Sequence, residues 1–291
     1  MRVKSIIAAV GLIVFLTIAH YSSAETTGRH SRLLLTNQIK GRAIPEGVSD
    51  TIELNYRYYY SGSDSILFQN NHLGIGFAES ISPATNSVGG FIEIEPVAVF
   101  NLRIQYEYIQ YFGVLTAILT FPDKDSDYSD DILDERKENG DAEWATGSHI
   151  SILPTFQIKI GRFVALDMLS FEWWEIDKNN YFYEPSNDTL MKTSDYFFTN
   201  ATIAGLELWS RDENTMMILG TRYTHFRVES ADKIRKQLDG IMIWMMGEKR
   251  WWMEKPVLVT VAGGILEDKY REGSFFAGIV FEFEYSLLPR Q

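Results

Sequence analysis

The sequence predicts an all-β protein, a transmembrane antiparallel up-and-down β-barrel of about twelve strands, and three observations predict it. The first is strict two-residue alternation near the C-terminus. Phe275, Ala277, Ile279, Phe281, Phe283, Tyr285 and Leu287 alternate with Ser274, Gly278, Glu282, Glu284 and Ser286, so one face is bulky and apolar and the other carries charge. The second is an export signature at the N-terminus. The third is the recurrence of period-2 runs between turn residues, in an even number that returns the C-terminus to the side where the N-terminus began.

Export rests on Arg2 and Lys4 as a positive n-region, an apolar run from Ser5 to Ala19, and small residues at Ser22-Ser23-Ala24. The run is short for a helix spanning ~30 Å of hydrocarbon, so residues 1–24 are expected to be a cleaved signal peptide. Residues 25–291 then form a single barrel domain. Their 25 Lys+Arg against 39 Asp+Glu make nucleic acid an unsuitable partner. The chain has no cysteine, which excludes a lipoprotein anchor, disulfides and thiolate metal sites. Aromatics at 14%, 8 prolines and no low-complexity tract favour one ordered β domain.

In order, the strands are expected near Arg32–Lys40, Thr51–Tyr60, Ile66–Ala78, Val88–Val99, Leu102–Thr120 and Ser148–Ile160. Further strands are expected near Phe163–Ile176, Phe197–Trp209, Thr215–Val228, Gln237–Met246, Val257–Leu266 and Ser274–Leu287. From a periplasmic N-terminus, the inner turns fall at Ser61–Ser65, Phe100-Asn101, Gly161-Arg162, Ser210–Asn214 and Gly247–Lys255. The outer connections fall at Gly41–Asp50, Glu79–Ser87, Phe121–Gly147, Asp177–Tyr196, Glu229–Arg235 and Glu267–Gly273. Both of the longest, 121–147 and 177–196, lie outside, as such barrels require.

Three strands agree on which face is which. Ile52, Leu54, Tyr56, Tyr58 and Tyr60 oppose Glu53, Asn55 and Arg57; Leu102, Ile104, Tyr106, Tyr108 and Phe112 oppose Arg103, Gln105 and Glu107; Ile150, Ile152, Phe156, Ile158 and Ile160 oppose His149, Ser151, Thr155, Gln157 and Lys159. A soluble sandwich also alternates, but its apolar face favours aliphatics. Here aromatics including Tyr56, Tyr58, Tyr60, Tyr106, Tyr108, Trp244, Trp251, Trp252, Phe283 and Tyr285 gather toward strand ends, the pattern of a membrane girdle. Phe163–Ile176 and Gln237–Met246 alternate poorly and are expected to pack against an inward plug or a partner.

With signal peptide, even strand count, alternating strands and amphipathic terminal strand, the chain resembles the Gram-negative outer-membrane β-barrel class over its whole mature length. The resemblance implies residence in the outer membrane as a multi-pass β-strand protein, with membrane lipids and the barrel-assembly machinery as partners. It also implies that Phe283 or Tyr285 is the aromatic read by that machinery, leaving Leu287–Gln291 as a short periplasmic tail.

Three function classes follow. The first is a passive, porin-like channel or transporter for small solutes, formed by a monomer. Its lining is Glu53, Arg57, Glu93, Glu95, Arg103, Glu107, Lys159, Glu207, Arg222, Glu282 and Glu284, seven acids against four bases, which favours cations. The second is a plugged structural or surface-interaction barrel, since about twelve strands lies between a filled eight and an open sixteen. The acidic loop 121–147 belongs to that reading. Asp123, Asp125, Asp127, Asp131 and Asp134 imitate the spacing of a calcium loop, although Tyr128 replaces the turn glycine and Asp134 the final Glu. That loop is either a low-affinity Ca2+ or Mg2+ site or a solvated acidic surface; no other cofactor is expected. The third class is a lipid-modifying enzyme. His149-Ile150-Ser151 has the His-x-Ser spacing, but the pair points into the lumen and position 163, where a third member would fall, is Phe. No catalytic residue is therefore assigned.

Overall fold

The computed structural model of the chain describes residues 31–43, 46–61, 65, 67–68, 71–212, 215–246, 257–267 and 275–287. The signal peptide, Trp251 and Trp252, and most of the connections 247–255 and 267–273 lie outside the described residues. The strands are, in order, β1 (Ser31–Ala43), β2 (Glu46–Tyr59), β3 (His72–Ile81), β4 (Thr85–Val97), β5 (Phe100–Phe112), β6 (Leu119–Phe121), β7 (Trp144–Ile160) and β8 (Phe163–Ile176). They continue with β9 (Tyr181–Glu184), β10 (Thr189–Met191), β11 (Ser194–Asp212), β12 (Thr215–Val228), β13 (Lys233–Met246), β14 (Val257–Glu267) and β15 (Phe275–Ser286). One helix, α1 (Asp130–Glu138), lies between β6 and β7.

Twelve of these strands close into a barrel in the order β1-β15-β14-β13-β12-β11-β8-β7-β5-β4-β3-β2, each antiparallel to its neighbours. Closure is made by β1 on β15, in register from Leu34 opposite Ser286 to Arg42 opposite Gly278. The expected strand count and connectivity hold. Ile52, Leu54, Ile75 and Phe77 stand exposed on the exterior, with Tyr56, Phe156, Ile160, Phe163, Leu206, Trp144, Trp173 and Trp244 exposed nearer its two rims. A closed sheet with an apolar outside is the form that hydrocarbon allows, since it leaves no backbone group without a partner.

Two segments depart from expectation. The fifth strand ends at Phe112 and not at Thr120, because Gly113, Leu115 and Ile118 adopt left-handed backbone conformations that break the ladder. The apolar run 114–119 turns over the mouth of the barrel instead. The two long outer connections are not open loops: β9 pairs with both β10 and β6 in a separate three-stranded sheet, and α1 packs on it. Smaller differences lie at the turns, where β3 and β4 extend to leave only 82–84 between them and the β2–β3 connection runs from 60 to 71.

The helix is built locally. Asp130 and Asp131 in its first turn and Arg136 and Lys137 in its last complement the helix dipole. Leu133 buries against Leu119, Phe121, Tyr128, Tyr183 and Leu190. The poorly alternating strands are explained on the inward side. Leu166 and Met168 of β8 and Ile243 of β13 pack on buried Ile203, Ile241 and Ala262, with Phe276, as an apolar inner wall.

If Leu54 lies in the hydrocarbon belt, Leu54→Arg destabilises the barrel in lipid vesicles by about 2–4 kcal/mol. Urea unfolding followed by tryptophan fluorescence checks this, with Leu54→Ile as the silent control.

Candidate functional site

The lumen is organised around carboxylates. On β4, Glu93 is a hub: its Oε1 accepts from Asn55 Nδ2 (2.8 Å), Arg57 Nε (2.8 Å) and His72 Nε2 (2.9 Å). Arg57 also reaches Glu284 of β15 at 3.7 Å, joining strands across the closure. Gly74 makes this possible, because a Cβ there would sit 2.5 Å from Glu93 Cγ. Glu95 follows on the same strand, opposite His72 and nearer the inner end.

Further up the wall, Arg103 binds Glu53 through both terminal nitrogens at 2.9 Å and lies 3.6 Å over the Phe91 ring. Glu282 takes a hydrogen bond from Gln38 (2.9 Å). Lys40 lies on the lumen side near Glu53, Glu282 and Glu107. Above lies His149. Its Nδ1 is 3.1 Å from Glu107 and its Nε2 3.1 Å from Glu172, and its ring stacks on Trp174 at 4.1 Å. Only Nδ1 has hydrogen-bond geometry, toward Glu107; Nε2 lies near Glu172 without it, and no hydrogen bond joins either nitrogen to Ser151, so the structure shows no nucleophile–base pair there.

The remaining expected residues pair in the same way. Lys159 binds Glu207 at 2.6 Å near the inner end, and Arg222 binds Asp239 at 2.6 Å. The eleven residues expected to line the lumen therefore all lie on inward faces, and most are consumed by cross-strand pairs. Sequence reading missed His72, Glu172 and Asp239. The two-residue parity on β3, β8 and β13 would have pointed each of them inward.

At the outer mouth the character changes. Ile109, Tyr111, Trp174, Ile176, Phe197, Phe226 and Val228, from the outer halves of the four barrel strands β5, β8, β11 and β12, pack on Ala117, Ile118, Phe182 and Met191 from the outer connections. Ile118, Ile176, Phe182, Met191, Phe197 and Val228 have no accessible surface. The β9–β10 turn is pinned from three sides. Arg42 of β1 donates to Pro185 O (2.5 Å) and Ser186 O (2.8 Å). Arg235 of β13 donates to Asn187 O (3.0 Å) and to Asp188 O. Tyr111 of β5 donates to Glu184 (3.2 Å), whose oxygens also cap the Ser186 and Asn187 amides. Ile118, a β-branched residue at φ 55°, holds a strained conformation by donating to Tyr183 O and accepting from Glu143 N.

The acidic loop residues do not converge. Asp123 accepts from the Asp125 amide (2.9 Å) and from Ser126, Asp127 accepts from the Ser129 amide (2.8 Å), and Asp134 approaches Lys137 at 3.9 Å from the exposed face of α1. Asp131 sits in the first helical turn. Among the described residues no group of three acidic, histidine or cysteine side chains could hold a metal ion. Elsewhere in the cap, Lys178 donates to Glu143 and holds its carboxyl below the usual carboxylate range.

A closed sheet with charge within and an apolar belt without has one home. The molecule is an outer-membrane β-barrel. No protein family's sequence pattern matches this barrel, and no curated protein does. Solved structures that resemble it include the β domain of the Bordetella autotransporter BrkA, at 10% identity and a TM-score of 0.49, covering 89% of this chain and 100% of that one. They also include the translocator domain of autotransporter NalP from Neisseria meningitidis, at 10% identity and a TM-score of 0.38, covering 97% and 96%. A third is Pseudomonas aeruginosa OccK2, at 8% and 0.29, covering 91% and 100%. Likenesses this distant carry no activity over to the barrel.

Replacing Glu93 by Ala leaves Arg57 and His72 facing each other without their shared acceptor, and is expected to cost about 3 kcal/mol in denaturant unfolding. Gly74→Val acts in the same direction, since it displaces Glu93 without removing its charge.

Proposed function

We propose that this barrel is a plugged, surface-interacting outer-membrane protein: the wall holds it in the membrane, and the folded acidic cap is the part that meets the cell exterior. One observation carries this reading, the apolar seal at the outer mouth. Water and ions do not cross a layer in which Ile118, Ile176, Phe182, Met191, Phe197 and Val228 are fully packed. The cap above it presents Asp123, Asp125, Asp130, Asp131 and Asp134 outward. Its expected contacts are lipid headgroups bridged by divalent ions, or cationic surfaces.

A second reading is a gated channel for small, preferentially cationic solutes. It is favoured by the excess of acid on the lumen wall. An enzymatic reading has no support in the arrangement of His149.

Planar-bilayer recording separates the first two. Lys178 O lies against the Thr193 side chain, so residues 179–192 can be replaced by a two-glycine link that leaves β8 and β11 in place. The intact protein is expected to be silent and the excised variant to give cation-preferring steps. Stable conductance from the intact protein would replace the plugged reading with the channel.

A further inference from the structure

Two places on the exterior break the apolar rule: a single pair on β1 and β2, where Asn37 donates to Asp50 (2.5 Å), and a wider patch on β8, β11 and β12. On β8, Phe163 and Trp173 are exposed at the two ends of the outward set, and Asp167 lies between them in the same parity. Four residues of tilted strand place Asp167 ~10 Å from the level of Phe163, within the hydrocarbon. Its Oδ1 accepts from Asn200 Nδ2 (2.8 Å) and Thr202 Oγ1 (2.6 Å) on neighbouring β11, and Thr202 is exposed. Beyond β11, β12 turns Thr221 and Tyr223 outward, in register with Ala204 and Thr202. The exterior of β2, six strands away around the ring, is apolar on the inner side of Asp50, where Ile52, Leu54 and Tyr56 follow one another.

An ionisable side chain facing acyl chains is costly, and lipid tails supply no donor to its second oxygen. A polar patch that runs across three neighbouring strands inside the belt, beyond one self-contained pair, therefore marks a surface that meets protein. We propose that the β8–β11–β12 exterior is the interface between two copies of this chain in the membrane.

The patch is complementary to itself. Two copies inserted in the same direction are related by a two-fold axis along the bilayer normal. With that axis through β11, β8 of one copy faces β12 of the other. The carboxylate of Asp167 then meets the hydroxyl donors of Thr221 and Tyr223, and the contact is made twice. Ala165 and Ala204, opposite each other in register and both outward, let the two walls approach closely. No other occupant has its matching donors already shown on this barrel.

The chain's lack of cysteine gives the test a clean background. Purified full-length mature protein carrying Ala204→Cys, reconstituted in phosphatidylcholine vesicles and oxidised with copper phenanthroline, is expected to form a covalent dimer. Leu54→Cys on the opposite wall is expected to remain monomeric. Adding Asp167→Leu to Ala204→Cys is expected to abolish the dimer while the barrel keeps its heat-dependent gel mobility. Light scattering of the unmodified protein in detergent gives an independent reading, a two-chain mass that falls to one chain with Asp167→Leu. Absence of the Ala204→Cys dimer, equal cross-linking at position 54, or a dimer that survives Asp167→Leu would each overturn the proposal.

Discussion

Closure of the sheet by β1 on β15 is the constraint on which everything else depends. An open edge would leave a row of N–H and C=O groups without partners in hydrocarbon, at a cost of several kcal/mol each. Nine register pairs, from Leu34–Ser286 to Arg42–Gly278, remove that edge. They also place Gln38 beside Glu282 and bring Glu284 within reach of Arg57, so the seam is tied inside the lumen as well as along the backbone. Without the seam, the charged residues would have no enclosed space in which to find each other.

The enclosed space is divided unevenly. The β1–β7 side carries ion pairs in tiers, Glu93 with Arg57, Glu53 with Arg103, and Glu107 and Glu172 about His149. The β8–β15 side carries the apolar wall of Ile203, Ile241 and Ala262, with the buried Asp239 and Arg222 as the ion pair within it. Charges removed from bulk water need partners with good geometry, and tall side chains need small ones beside them. Gly74 beneath Glu93 and Gly76 beneath Phe91 provide that room on β3. At the outer mouth the ion pairs give way to apolar packing, made with residues of the connections that follow the strands.

Much of this was legible from residue order. Period-2 alternation identified twelve strands, their connectivity and which face of β2, β5, β7 and β15 turns inward, because side-chain direction in a strand is set by parity alone. The error at 113–120 is instructive. Val114, Leu115, Ala117, Ile118 and Leu119 continue the apolar character of β5, and apolarity does not distinguish a strand facing lipid from a segment folding over the mouth. The break comes from backbone conformation at Gly113, Leu115 and Ile118, of which only the glycine carries a local signal. The acidic loop shows the converse: its calcium-like spacing is spent on capping its own turns and starting α1.

The sequence by itself determined the fold class, the membrane setting and the charged character of the lumen, since these follow from composition and a two-residue period. Only the tertiary structure decided that the outer connections pack on the barrel mouth and that a polar patch spreads over the exterior of three neighbouring strands. Arg42 and Arg235 stand on strands at different sides of the ring, and both bind carbonyls of the 185–188 turn. Asp167 reads as one polar residue in a poorly alternating strand until β11 brings Asn200 and Thr202 beside it. Such contacts depend on which distant strands become neighbours when the sheet closes, and a local pattern contains no information about that.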